Sequence, residues 1–295
     1  MADQPHAAQL RRVRRALVAA TPGLRRDLPW VGHGDPWGVV VSEFMLQQTQ
    51  TARVVGPWTR FMAQFPTPQS CAAVSLADVL RAWAGLGFPR RAKYLHETAK
   101  AIVERHGGIV PRSRSDLRAL PGVGPYTTNA IATFAFDERC GVLDTNVGRV
   151  VARCVANATL PSKVAQELCD ALIPTTSPGA FNQALLDVGA QFCSSTPRCL
   201  DCPLRKVCAW RAHGGEDPAP LSAGVSKPQA RFAGSLRQTR GGVMAQLQEG
   251  PMTITTLRRN VTASEEQLDR ALEGLLRDGL ITRRGQRYRL GSDAR

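Results

Sequence analysis

The run Leu120-Pro121-Gly122-Val123-Gly124-Pro125-Tyr126-Thr127 restricts the backbone more than any other part of the chain. It lies between two stretches with helical apolar spacing, Ser115 to Leu120 and Tyr126 to Phe136. A Pro-Gly-Val-Gly sequence there is a tight turn, and the second stretch begins directly after it. Glycine at Gly122 and Gly124 lets the main chain approach a ligand closely, with Val123 between them. The amides that open the next helix point outward and suit an anion. A plain glycine-rich joint between two helices has the same local sequence. About twenty residues further on comes an isolated acid, Asp144, in Val142-Leu143-Asp144-Thr145-Asn146.

A chain of 295 residues with 43% hydrophobic content can bury a core of one large domain or two smaller ones. No apolar run reaches the roughly 18 residues needed to span a bilayer. Met1 to Arg15 is basic without an apolar core, so no secretory signal is read and the cytoplasm is the expected location. The net charge of +14 points to an anionic polymer as partner. Only five of the 38 basic residues are lysine, which genome composition explains as readily as phosphate recognition does.

The first 225 residues read as helices joined by short loops, an all-α part. Val39 to Phe65 is expected to break at Gly56-Pro57, and Arg91 to His106 to stop at Gly107-Gly108. Asp78 to Leu86, Thr145 to Val155, Lys163 to Ile173 and Ala180 to Phe192 complete the set. Gly214 to Lys227 turns to Gly, Pro, Ala and Ser and reads as a linker. Beyond it, Leu236 to Gln248 and Ser264 to Asp278 are amphipathic, and Gly279 to Leu290 alternates like a hairpin around Gly285. Residues 226–295 are therefore expected to form a small winged-helix-like module. With 13 basic and 7 acidic side chains (13 − 7 = +6), it is either a second nucleic-acid contact or a packing domain.

Cys71, Cys140, Cys154 and Cys169 are scattered through apolar patterns and read as reduced core residues. Cys193, Cys199, Cys202 and Cys208 crowd into sixteen residues, which in a reducing compartment indicates a metal. The spacing is Cys-x5-Cys-x2-Cys-x5-Cys, one close pair with an outlier on each side. It suits a four-sulfur cubane, [4Fe–4S], better than a structural zinc drawn from two distant pairs, and both stay open on spacing alone. Arg198, Arg205, Lys206 and Arg211 surround the loop with cations that would offset its negative core. No ligand spacing is found among His6, His33, His96, His106 and His213.

Together the hairpin, Asp144 and the four-cysteine loop resemble the helix-hairpin-helix DNA glycosylases that carry an iron–sulfur cluster. Three further stretches are similar to the adenine DNA glycosylase (MutY) branch. They are Asp27-Leu28-Pro29-Trp30, Val41-Ser42-Glu43-Phe44-Met45-Leu46-Gln47-Gln48-Thr49-Gln50, and Phe181-Asn182-Gln183-Ala184-Leu185-Leu186-Asp187-Val188-Gly189-Ala190. The resemblance runs from about residue 24 to 211. It implies a catalytic domain over 1–225 in two lobes. A six-helix barrel at about 35–140 would carry the hairpin, and a cluster lobe would join the N-terminal helix to about 141–225. Two departures stand out. The family usually has six residues between its first two cluster cysteines and this chain has five. The family's usual Nudix-like C-terminal domain, which reads 8-oxoguanine, is not evident in the 70-residue tail.

By the same resemblance, the chain would be a monofunctional, monomeric glycosylase acting on double-stranded DNA with adenine opposite 8-oxoguanine or G. Breaking the bond needs a protonated leaving base and a stabilised sugar cation. Glu43, in an apolar setting that disfavours its charged form, would protonate the base. Asp144 would face the sugar cation, and it also suits the N-cap of a helix starting at Thr145. Asn146 would orient Asp144. Tyr126 stands where strand-cutting relatives place a Schiff-base lysine, which implies hydrolysis by water. Trp30 and Gln183 would line the adenine pocket, and Gln48, with Gln47 and Thr49, would fill the gap left by the flipped base. A thymine or uracil mismatch glycosylase of the same superfamily is the alternative. An iron–sulfur redox-sensing DNA-binding regulator is a more remote one.

Overall fold

A computed structural model describes residues 4–24, 26–32, 34–225 and 231–291. His33, Lys227 and the module boundary expected at 226 lie outside the described residues. Along the chain run helices α1 (Gln4–Leu24), α2 (Pro36–Leu46), α3 (Thr51–Gln64), α4 (Pro68–Ala72), α5 (Leu76–Ala82), α6 (Arg90–His106), α7 (Arg114–Arg118) and α8 (Pro125–Phe136). Then come α9 (Thr145–Val150), continued by a π-helical turn (Val151–Ala156), α10 (Ser162–Leu172), α11 (Pro178–Gln191) and α12 (Ala209–His213). The last part holds α13 (Leu236–Gln248), β1 (Met252–Thr253), α14 (Ile254–Asn260), α15 (Glu265–Arg277), β2 (Ile281–Arg284) and β3 (Arg287–Leu290). The described chain is mostly helical, and none of its helices is long and apolar enough to cross a membrane.

The described residues divide into two compact units, one built from α1, α7 to α12 and the segment that follows α12 up to residue 225, the other from α2 to α6, residues 119–122 and everything from residue 231 on. In the first unit, α1 turns Leu10, Val13 and Leu17 into a core completed by Val150, Leu172 and Leu185. Polar side chains fix the same helix. Gln9 donates to the carbonyls of Cys154 (2.7 Å) and Val207 (2.6 Å), and Arg14 donates to that of Leu172 (3.0 Å).

The segment read as a linker is packed against this unit over Asp217 to Gly224. Ala219 and Ser222 are buried, Leu160 N–H donates to Ser222 Oγ (3.0 Å), and Ala223 N–H donates to Leu160 O (2.9 Å). Turn-forming composition makes a chain easy to bend without detaching it, and here the bends serve docking.

In the second unit, Trp37 to Met45 of α2 are all buried, as a helix apolar on every side requires. The expected break at Gly56-Pro57 is not there. The chain turns at Gln47–Gln50, and α3 runs through Pro57. Packing overrides the proline: Val54 and Phe61 are sealed in the core, and Trp58 Nε1–H donates to Gly38 O (2.9 Å). Gly107 ends α6 in the left-handed conformation (φ 61°), as its sequence implies.

The same unit contains α13, α14, α15 and an antiparallel sheet in the order β1-β3-β2, with Met252 opposite Tyr288 and Ile281 opposite Leu290. β1 and α14 escape sequence reading because a two-residue strand has no period. Thr253 closes that strand and caps α14 by accepting from Thr256 N–H. Lys93 Nζ donates to Asp278 O (2.8 Å), tying α6 to the turn after α15.

Candidate active site and thiol pocket

Asp144 is the N-cap of α9, where extended φ and ψ let its side chain fold back on the first turn. Oδ1 accepts from Val147 N–H (2.7 Å) and Oδ2 from Asn146 Nδ2 (2.8 Å). The amide of Asn146 cannot turn over, because its Oδ1 accepts from Arg149 Nη2 (2.7 Å). Burial pushes the Asp144 carboxyl above the ordinary carboxylate range, while these bonds and the Arg149 charge pull it back. Two neighbours enforce the geometry. A Cβ on Gly189 of α11 would lie 2.6 Å from Asn146 O, so only glycine lets α11 approach α9 this closely. On the other side, Thr145 Oγ1 donates to Gly224 O (3.0 Å), so the docked Asp217–Gly224 segment runs beside the cap.

Arg149 also donates from Nε to Cys193 O (2.6 Å), which joins the start of α9 to the cysteine loop. All four clustered cysteines line one pocket. Among the described residues, no three His, Cys, Asp or Glu side chains converge tightly enough for a single metal ion. The pocket wall includes the π-helical turn, a deformation common at functional sites, and that turn supplies Arg153 and Cys154.

Arg153 is 2% exposed and fully committed. It donates to both oxygens of Asp217 (2.8 and 2.6 Å), to Ser194 O (2.7 Å) and to Cys193 Sγ (3.4 Å), and it lies over the Trp210 ring. Burial opposes its charge, but the Asp217 and Cys193 bonds outweigh burial and hold the guanidinium above its usual range. A hydrogen bond from the buried Cys154 thiol is the largest influence bringing Cys208 down to about 6. Cys193 is moved up by burial against the pull of Arg153.

In the same unit, Gln183 on α11 donates to Asp187 Oδ1 (3.0 Å) one turn later. Asp187 is fully buried and paired with Arg26 (2.5 Å); burial raises its carboxyl against that pull. The pair fixes the Gln183 amide. Trp30 and Leu28 are both buried.

The second unit holds Glu43, Gln48 and Gly122. Glu43 is 4% exposed on α2, with Oε2 sealed from solvent. Gln48 projects from the α2–α3 turn at φ 56°, a conformation that costs energy for a residue with a Cβ. Arg91 stabilises this turn from beneath. It is 7% exposed and donates to the carbonyls of Met45 (2.9 Å) and Gln47 (2.5 Å) and to Thr49 Oγ1 (3.1 Å). Burial lowers it to about 10, so it stays charged at neutral pH. In the hairpin, Gly122 has φ 73°, and a Cβ there would meet Tyr94 Cβ at 2.7 Å. Gly124 is extended, Pro125 opens α8, and Val123 is buried while Tyr126 is half-exposed.

Two of the expected associations are therefore direct contacts or a shared wall: Asp144 with Asn146, and the four cysteines around one pocket. Trp30, Val123, Gly124, Tyr126 and Gln183 belong to the same unit as Asp144, and Glu43, Gln48 and Gly122 to the other. Sequence reading missed Arg91, Arg149, Arg153 and Asp187. The i, i+4 spacing of Gln183 and Asp187 and the i, i+3 spacing of Asn146 and Arg149 were usable signals. Nothing in the sequence near Arg91 reports what it reaches.

Comparison with known proteins sets these features in context. Residues 41–174 match the family described as HhH-GPD superfamily base excision DNA repair protein. The chain is 46% identical over 269 residues to an adenine DNA glycosylase of Mycobacterium tuberculosis, covering 88% of this chain and 86% of that one. It is 39% identical over 217 residues to the human adenine DNA glycosylase, covering 68% of this chain and 40% of that one. Among solved structures, a thermostable thymine-DNA glycosylase superposes with a TM-score of 0.65 at 26% identity, over 70% of this chain and 97% of that one. A trapped endonuclease III–DNA intermediate superposes with a TM-score of 0.60 at 23% identity, over 70% and 96%, which speaks for the fold alone.

Proposed function

Because this chain belongs to the adenine DNA glycosylase family of helix-hairpin-helix base excision repair enzymes, we propose that it hydrolyses the N-glycosidic bond of adenine opposite 8-oxoguanine or G. Glu43 gives a proton to the flipped base at N7, which turns adenine into a competent leaving group. Asp144, held by Val147 N–H and the Asn146 amide, faces the developing sugar cation and stabilises its charge. Tyr126 has no amine with which to form an imine, so water completes the reaction and the strand is left uncut. Gln183, oriented by Asp187, pairs with the base edge and Trp30 contacts its face. Gln48 fills the vacated stack from a turn stabilised by Arg91. The hairpin at Gly122, Val123 and Gly124 grips the backbone phosphates. The observation that carries this reading is the bonded set at the start of α9, an acid kept in place and orientation by Val147 N–H and the Asn146 amide.

The thiol pocket fits a [4Fe–4S] cluster held by Cys193, Cys199, Cys202 and Cys208. Its donors are all sulfur, and Arg153 donates to the Cys193 sulfur, as a negative cluster core favours. When bound, the cluster supplies structural cross-linking and a charged core, and the glycosidic chemistry stays with the carboxylates. Around this site we take the protein to be a monomeric catalytic domain over 1–225, followed by a winged-helix-like module over 226–295.

Purified protein incubated with duplexes carrying A opposite 8-oxoguanine, A opposite G, T opposite G or U opposite G, then treated with alkali, decides the substrate. Breaks are expected at A, and breaks confined to T or U would replace adenine as the target. Borohydride is expected to trap no enzyme–DNA adduct.

A further inference from the structure

The β2–β3 hairpin concentrates positive charge. Residues 279–291 contain four arginines and no acidic residue. Alternation puts Thr282, Arg284, Arg287 and Arg289 on one face of the hairpin, and Ile281, Tyr288 and Leu290 on the buried one. Arg284 and Arg287 are directly opposite each other in the register, next to the tight turn at Gly285 (φ 57°), and both are exposed. Like charges in facing positions repel each other across a strand pair. A polyanion lying across the tip changes the sign of that effect. The flanking arginines are held by the hairpin itself. Arg283 is stacked over Tyr288 and bonded to Gly285 O (3.0 Å), and Arg289 Nε donates to Thr282 Oγ1 (3.1 Å).

The helix before the hairpin has the opposite character. On α15, Glu265, Glu266, Asp269 and Glu273 are exposed, against only Arg270 and Arg277. Glu266 is paired with Arg270 (2.9 Å), and Glu265 lies 3.7 Å from Arg258 of α14. In helix-turn-helix proteins the second helix of the motif enters the major groove. Here the corresponding helix would bring four carboxylates to a surface lined with phosphates.

We propose that the β2–β3 hairpin is a phosphate-binding wing that holds duplex DNA through Arg284 and Arg287, and that α15 takes no part in that contact. The wing extends the DNA-glycosylase reading, since it gives the substrate duplex a second hold outside the catalytic domain. Its contacts are to backbone phosphates, so its contribution is affinity independent of sequence.

The test uses the full chain and a labelled, lesion-free duplex of about 30 base pairs, with affinity followed by anisotropy from about 50 to 300 mM KCl. Each lost phosphate contact lowers the slope of log affinity against log salt by about 0.9, so R284Q/R287Q is expected to lower it by about 2. R284K/R287K keeps both charges and is expected to keep the slope. E266Q/D269N is expected to leave the slope unchanged. An unaltered slope in R284Q/R287Q overturns the wing, and a slope changed by E266Q/D269N alone would move the contact to α15. Adenine excision by the unaltered protein is scored separately, so failure of the enzymatic reading is told apart from failure of the wing.

Discussion

Asp144 combines two duties, helix cap and proposed catalytic carboxylate, and a pair of substitutions separates them. Asparagine keeps an oxygen to accept from Val147 N–H, so Asp144→Asn preserves the cap within a few tenths of a kcal/mol. Its new NH₂ group, however, points at Asn146 Nδ2, which the Arg149 bond to Oδ1 prevents from turning over. Two donors then face each other, and a buried donor without an acceptor costs about 1–3 kcal/mol. Adding Asn146→Asp restores a donor–acceptor pair and keeps a partner for Arg149. The double variant is therefore expected to be more stable than Asp144→Asn by about 1–3 kcal/mol, read by urea denaturation. Neither variant regains a carboxylate at position 144. Single-turnover excision is expected to fall about a hundred- to a thousandfold in both, on the scale of losing an aimed electrostatic group. Excision restored to within tenfold by the double variant would refute the assignment of the sugar-facing charge to Asp144. Equal stability of the two variants would refute the hydrogen-bond reasoning.

Gly122→Ala places a Cβ 2.7 Å from Tyr94 Cβ at φ 73°, and a loss of about 1–3 kcal/mol with weaker duplex binding is expected, read by thermal melting and anisotropy. Arg91→Lys replaces a planar fork by an ammonium with three donors. With the α2 carbonyls and Thr49 only partly served, a loss of about 3–5 kcal/mol is expected. That corresponds to a melting point lower by roughly 10 °C. Because the Asp144 carboxyl titrates above an ordinary aspartate, excision that depends on its charge is expected to decline on the acid side at a higher pH than a free carboxylate would give. The stability linkage has the opposite sense: the buried neutral form is favoured, so stability falls as pH rises from the unfolded pKa through the folded one, and Asp144→Asn flattens that slope.

Local chemistry was the most legible part of the sequence. Gly107 ends α6 because a left-handed residue was needed, and Asp144 caps α9 because a short acid precedes a helical stretch. The cysteine spacing identified one loop, and its four sulfurs share one pocket. What failed was tertiary in origin. Pro57 sits inside α3 because Phe61 and Trp58 are anchored to other parts of the unit, and no local signal reports that. The Asp217–Gly224 segment has a linker's composition, but Arg153 and Leu160, more than fifty residues away, hold it down. Arg91 is one of 33 arginines in the chain, and only the fold shows that it reaches the α2–α3 turn.

A crystal structure with a duplex carrying a non-hydrolysable adenine nucleotide opposite 8-oxoguanine tests the two-carboxylate mechanism most directly. The expected result is a flipped adenine with Glu43 within hydrogen-bond reach of N7 and Asp144 beneath the anomeric carbon of the same nucleotide. Glu43 and Asp144 facing no common nucleotide would contradict it.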